Sequence, residues 1–310
     1  MFYLAVAIFL FSAPLPAGAQ PPINWTDGQI ASGVANVRAG SKLTPQQWPN
    51  NARLAVCISF DVDNETLSLS QGVTAPGALS AGEFGATTGL RRVLDLLDHH
   101  DISASFFIPA VSAMLHPQMI QDIVKRNRHE IGVHGWIHEN LLKMDNGVEE
   151  ERLLSQSIDY LTKALGKRPV GFRAPSWTFS QHTIGLISKA GFLYDSSLMA
   201  MDEPYELYSD GQPTGMVELP VDWALDDVPY FGLGGTLPSP DLVFKIYRDE
   251  FDVAYKEGTM FMLTLHPHVI GRRSRIDHLD KLITYMKSKT DVWFATAEQI
   301  ASYVKEAKTR

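Results

Sequence analysis

Two carboxylates and two histidines hold the residue types and spacings most able to do chemistry. The apolar run Leu54-Ala55-Val56-Cys57-Ile58-Ser59-Phe60 stops at Asp61-Val62-Asp63, and a later run ends in His134-Gly135-Trp136-Ile137-His138. Asp and His are ligands that a divalent metal recruits, and three of them leave a coordination position free for water. Side chains alternate along a strand, so Asp61 and Asp63 can project to the same side of a strand end. A helix starting at His134 would bring His138 round one turn later, with Cβ atoms about 6 Å apart. The pattern points to a hydrolase.

Positioning these groups requires several elements in register. Short apolar runs predict strands at 54–60, 104–109, 130–134, 170–173, 216–221, 259–266 and 291–295. Amphipathic runs predict helices at 86–100, 117–128, 148–165, 181–190, 240–257, 275–289 and 296–307. In 148–165, Leu154, Ile158, Leu161 and Leu165 recur at three- and four-residue steps, and Gly166 supplies a stop. Strands alternating with helices imply parallel pairing through crossover helices. This number of βα steps favours an α/β barrel, with the active site where strands end and loops begin. Asp61, Asp63, His134, Arg173 and His266 all fall at such ends. Two long connections, 64–85 and the aromatic- and Asp-bearing 198–239, are candidates for shaping a pocket or for packing.

The remaining composition narrows the setting. A formal charge of −8 argues against a nucleic-acid partner, which would call for a basic stripe, and against docking on anionic lipid. Residues 1–19 read as a signal peptide: Phe2 to Phe11 is apolar, Ala17-Gly18-Ala19 offers a cleavage site, and the stretch is too short to span a bilayer. It carries no Lys or Arg, unlike the usual basic start of such segments. Export to the periplasm or outside the cell is the expectation, with no stable membrane span. Residues 20–51, rich in Pro, Gly, Gln and Asn, read as an extended leader, and 52–305 as the catalytic domain. The lone Cys57, mid-strand among apolar neighbours, reads as a buried thiol.

Five separated segments together resemble one family. Ser59-Phe60-Asp61-Val62-Asp63, His134-x-x-x-His138, Arg173-Ala174-Pro175-Ser176-Trp177, Tyr194-Asp195-Ser196-Ser197 and Leu263-Thr264-Leu265-His266-Pro267 resemble, in order, the motifs of the polysaccharide deacetylases. These are the NodB-homology proteins of carbohydrate esterase family 4. Each motif alone is weak evidence, whereas five in order are specific. Val62 separates the two aspartates that are usually adjacent. With Leu265-His266-Pro267-His268, that spacing is similar to a subgroup holding peptidoglycan deacetylases and allantoinase-like amide hydrolases. Hydrolysis of a non-peptide C–N bond unites them.

The resemblance implies a distorted (β/α)7-type barrel and a divalent metal, usually zinc (Zn2+), held by Asp63, His134 and His138. It also implies Asp61 as general base, Arg173 as its orienting cation, His266 as general acid and Asp195 as the carboxylate orienting His266. Two neutral imidazoles and one carboxylate leave net charge on such an ion, which lowers the pKa of its water toward about 7. His268 stays open as an alternative acid, and His99, His100, His116, His129, His182 and His278 read as surface or satisfied core residues. Trp136 and Trp177 fit packing better than sugar platforms, while Glu83 fits either the pocket or its loop. The expected activity is N-deacetylation of an N-acetylated glycan such as peptidoglycan. The alternatives are hydrolysis of a small cyclic or linear amide and an inactive carbohydrate-binding barrel. Homo-oligomeric assembly is compatible with the composition.

Overall fold

The computed structural model describes residues 24–232 and 237–308. Ten strands form one curled sheet: β1 (Arg38–Lys42), β2 (Leu54–Asp61), β3 (Ser105–Ile108), β4 (Glu130–Val133), β5 (Gly171–Phe172), β6 (Tyr194–Asp195), β7 (Tyr205–Ser209), β8 (Gln212–Glu218), β9 (Met260–Leu265) and β10 (Val292–Phe294). Eight of them run parallel: seven in the order β9-β2-β3-β4-β5-β6-β8, the expected (β/α)7-type barrel, and the short β10 along the start of β2. Among the described residues the ring is not closed by a ladder, and between β8 and β9 a single bridge, Asp226 to Thr264, ties in the connecting segment.

Strand alternation sorts the side chains into two cores. Along β2, Leu54, Val56, Ile58, Phe60 and Val62 face outward into the layer under the helices. Ala55 and Cys57 face the barrel interior with Phe107, Tyr194, Val217, Met260 and Met262. The interior has room for the large rings because β4 and β5 present glycine at their level. A Cβ on Gly132 would lie 2.7 Å from the Phe107 ring, and one on Gly171 would lie 2.1 Å from the Tyr194 hydroxyl. Such short approaches exclude any larger residue. Cys57 is buried as expected, which pushes its thiol up to about 12.

All seven predicted strands and all seven predicted helical segments are present. Crossover helices include Leu90–His100, Gly147–Leu165 and Pro240–Glu257. Asn146 caps Gly147–Leu165 by accepting from the Val148 amide (3.0 Å), and Gly166, at φ +71°, ends it. Three expectations need correction. No helix starts at His134; the chain there is a loop. The leader is not merely extended: it holds a helix (Asp27–Ala35) and β1, which pairs antiparallel with β7, and Trp48 plugs the interior beside Trp293 and Tyr303. The 198–239 stretch is not one loop either. Its first half is the β7–β8 hairpin, and the segment after β8 fills the gap before β9. The expected signal segment, 1–19, lies outside the described residues.

Candidate active site

The inward face of β2 continues past its last paired residue, so Ser59, Asp61 and Asp63 share one side while Phe60 and Val62 take the other. Arg173, the inward residue after β5, reaches across the barrel mouth and is fully buried. Its Nη1 donates to Asp61 Oδ1 (2.7 Å) and Ser59 Oγ (3.0 Å). Its Nε donates to the Ser196 carbonyl (2.9 Å) and Nη2 to Ser196 Oγ (2.9 Å). The guanidinium also lies over the Phe107 ring, 4.1 Å from its centroid. Burial opposes charge on Asp61, yet Arg173, then His134 and His266, hold its carboxyl below the ordinary range. Asp61 is therefore ionised, with Oδ2 left over as a base.

Asp63, His134 and His138 place one ligand atom each within 4.8 Å of the others. His134 Nε2 lies 3.5 Å from Asp63 Oδ1, and His138 Nε2 lies 3.6 Å from Asp63 Oδ2. The His134 Nδ1–H donates to the Arg173 carbonyl (2.9 Å), so Nε2 carries the lone pair. The loop that carries His138 is shaped by left-handed backbone at Gly135 (φ +73°) and at His138 itself (φ +61°). Glu139 braces it by accepting the Trp136 and Ile137 amides (2.8–3.0 Å). A non-glycine residue in that region stores strain, as functional loops often do. Burial, with smaller effects from His266, pushes His138 down to about 4, and burial lowers His134 too, so both imidazoles are neutral. Burial raises Asp63, and its Oδ1 has no hydrogen-bond partner. An orphaned buried carboxylate oxygen beside two neutral imidazoles is a donor set that fits a divalent cation.

His266, inward after β9, completes the arrangement, with Nε2 3.7 Å from Asp63 Oδ2. Its Nδ1–H donates to Asp227 Oδ1 (2.8 Å), and its amide donates to Asp227 Oδ2 (3.2 Å). Burial opposes a charged ring, but Asp226, Asp227 and Asp63 push His266 well above the usual imidazole range. The expected contact with Asp195 is absent, and strand parity gives the reason. Tyr194 points into the barrel and Ser196 meets Arg173, so Asp195 faces the opposite layer. There it accepts from Ser197 Oγ (2.8 Å) and meets Glu218, its register neighbour on β8. Asp195 Oδ2 and Glu218 Oε2 have no donor of their own. Burial raises both carboxyls; the hydrogen bond between them restrains Asp195, at about 6, and pushes Glu218 well above the carboxylate range, so the pair shares a proton.

Asp227 was not legible as a site residue, since it lies 39 positions from His266 in an aperiodic connection. The only signal was the acidic pair Asp226-Asp227 just before Val228. His268 packs edge-on against His266, its ring centroid 5.6 Å away, but its Nδ1 meets no partner. Trp177 is buried in the interior cluster against Trp223, as packing requires, and Glu83 is exposed. Other histidines hold structural partners: His100 with Asp280, His116 with Glu65, His278 with Asp241, and His129 with the Ala104 amide.

Known proteins resemble this chain in sequence and in fold. The sequence profile described as polysaccharide deacetylase matches residues 81–194. A peptidoglycan deacetylase of Helicobacter pylori is 32% identical over 280 residues, covering 79% of this chain and 95% of the relative. A crystal structure from Mycobacterium smegmatis, assigned as a polysaccharide deacetylase, superposes with a TM-score of 0.80 at 35% identity and covers 86% of this chain and 96% of that one. The Puue allantoinase structure superposes with a TM-score of 0.75 at 27% identity, covering 85% and 93%.

Proposed function

Because this chain belongs to the polysaccharide deacetylase family, hydrolases of carbon–nitrogen bonds other than peptide bonds, we propose that it removes N-acetyl groups from an N-acetylated glycan such as peptidoglycan. One observation carries the reading. A base, Asp61, and an acid, His266, stand on either flank of a single ligand set, 3.8 Å from His134 and 3.7 Å from Asp63 respectively.

Asp63, His134 and His138 would hold the divalent cation, and zinc suits two imidazoles with one carboxylate. When bound, it supplies Lewis acidity to an acyl carbonyl and to a water. Asp61 Oδ2 takes the water proton while Arg173 keeps Oδ1 engaged and the carboxylate ionised. The hydroxide oxygen joins the acyl carbon, and His266 Nε2 gives its proton to the nitrogen as the C–N bond breaks. Asp227 holds Nδ1–H and so fixes which nitrogen faces the substrate. The products are acetate and a free amine. Acid–base help of this kind is worth about 10²–10⁴-fold.

Acetate release from N-acetylglucosamine oligomers, lost on chelation and in Asp61→Asn, is the expected result. A folded, zinc-loaded enzyme that frees no acetate from any N-acetylated glycan refutes the reading. A small amide is the second reading, favoured by the likeness to the allantoinase and by the enclosure of Asp61, Asp63 and His134, each 1–2% exposed. A panel of chitin oligomers, peptidoglycan fragments and ureides separates the two. Export is part of the proposal, supported by the apolar Phe2–Phe11 stretch. Among the described residues, no helix is long and apolar enough to cross a membrane.

A further inference from the structure

Beyond His266 the chain makes a short helix, Pro267–Ile270, and then enters the helix Arg273–Lys287 through Arg272-Arg273-Ser274-Arg275. Two of these arginines lie over aromatic rings. The Arg272 guanidinium sits 3.6 Å from the Phe84 centroid and that of Arg275 sits 4.6 Å from the Phe231 centroid. Arg275 Nη1 donates to the Val269 carbonyl (2.9 Å), on the turn that His266 begins. Neither arginine forms an ion pair among the described residues. Asp227 is the carboxylate that acts on Arg275, and it is already committed to His266.

Burial and then the charge of Arg272 lower Arg275, against the pull of Asp227, so the two cations repel each other. They also stand at the entrance of a helix with no acidic residue in its first turn and no side-chain cap, where the helix dipole disfavours positive charge. Both charges reach the imidazole of His268, beside His266. Two guanidinium groups without an ion-pair partner among the described residues, set over aromatic rings at the edge of an active site, are suited to a planar anion. The buried carboxylates Asp227, which acts on Arg275, and its neighbour Asp226 favour a monoanion over a phosphate.

We propose that Arg272 and Arg275 bind a carboxylate on the substrate, next to the amide to be cleaved, so that the preferred substrate is an acidic N-acyl compound rather than an uncharged chitin-like sugar. The position of that amide rests on the hydrolase reading above. The pair acts by binding and takes no part in proton transfer.

The test separates binding from turnover. Calorimetry on zinc-loaded Asp61→Asn enzyme compares N-acetylmuramic acid, which bears a lactyl carboxylate, with its methyl ester. The acid is expected to bind about tenfold or more tightly than the ester. Arg272→Met/Arg275→Met abolishes that preference, and Arg272→Lys/Arg275→Lys retains part of it. With Asp61 intact, the methionine pair raises KM for the acid at least tenfold more than it raises KM for the ester. Equal binding of acid and ester, no binding of either, or a preference that survives the methionine pair overturns the proposal. If the acid binds preferentially but nothing is hydrolysed, the hydrolase reading fails and the subsite stands. If both are hydrolysed with equal kcat/KM, the subsite fails and the hydrolase reading stands.

Discussion

Replacing Arg173 by Met tests how the base is held. The side chain is fully buried, donates to Asp61, Ser59 and Ser196, and leaves Asp61 as a buried anion once removed. Removing one partner of a buried ion pair costs about 3–5 kcal/mol, because the other charge is left uncompensated. Asp61→Asn, which keeps an acceptor but loses the charge-assisted bond, costs about 1–3 kcal/mol. The double variant leaves no carboxylate at position 61 to be orphaned, so its loss falls short of the sum by about 1–3 kcal/mol. The measurement is thermal and urea unfolding of chelator-treated protein, so that ion binding to the native state does not enter. For a chain of this size each kcal/mol moves Tm by about 2 °C, so Arg173→Met alone lowers Tm by about 6–10 °C. Losses that add to within about 0.5 kcal/mol refute the idea that Arg173 acts mainly on Asp61. So does an Arg173→Met variant as stable as the parent.

Other outcomes follow from the same geometry. Asp227→Asn lowers kcat by about 10²-fold or more with little change in KM, since it disturbs the acid and not the binding groups; Asp195→Asn leaves kcat within a few-fold, and the reverse ranking sinks the assignment. Asp195 and Glu218 share a proton that the unfolded chain gives up at ordinary carboxyl pKa. This contribution is full at low pH and lost as pH rises through the folded value of Asp195, about 6, and beyond. Glu218→Gln should therefore flatten the fall in Tm between pH 5 and pH 8, and an unchanged slope counts against a shared proton. Zinc at about 1,000 times its Kd should stabilise the chelator-treated protein by about 4 kcal/mol. Asp63→Asn should remove most of that gain, and an undiminished gain places the ion elsewhere.

Much of the barrel was legible because its strands are short, apolar and separated by strongly periodic helices. The ends of β2, β4, β5 and β9 were legible because a polar residue after an apolar run marks where a strand leaves the core. Legibility failed where a contact depends on parity or on an aperiodic connection. Asp195 sits in a family motif, yet one residue of alternation turns it away from His266. His138 meets His134 through left-handed turns that no amphipathic period announces. Residues Asp27–Ala35 and β1 were missed because their burial is slight and their partners, such as β7, are remote in sequence.

The unclosed edge between β8 and β9 has a consequence for how such an enzyme can diversify. Asp61, Asp63, His134 and Arg173 all sit at or just beyond the ends of paired strands, where a change of length would slip a register. Asp227 rides on the stretch that merely spans the opening, anchored by one bridge. Insertions there can retune the proton donor for a more or less basic leaving nitrogen while base and ion seat keep their places. A single framework can thus pass from sugar amides to other acyl nitrogens by altering a connection instead of the barrel. The fixed and the adaptable halves of the chemistry are separated by a seam in the sheet.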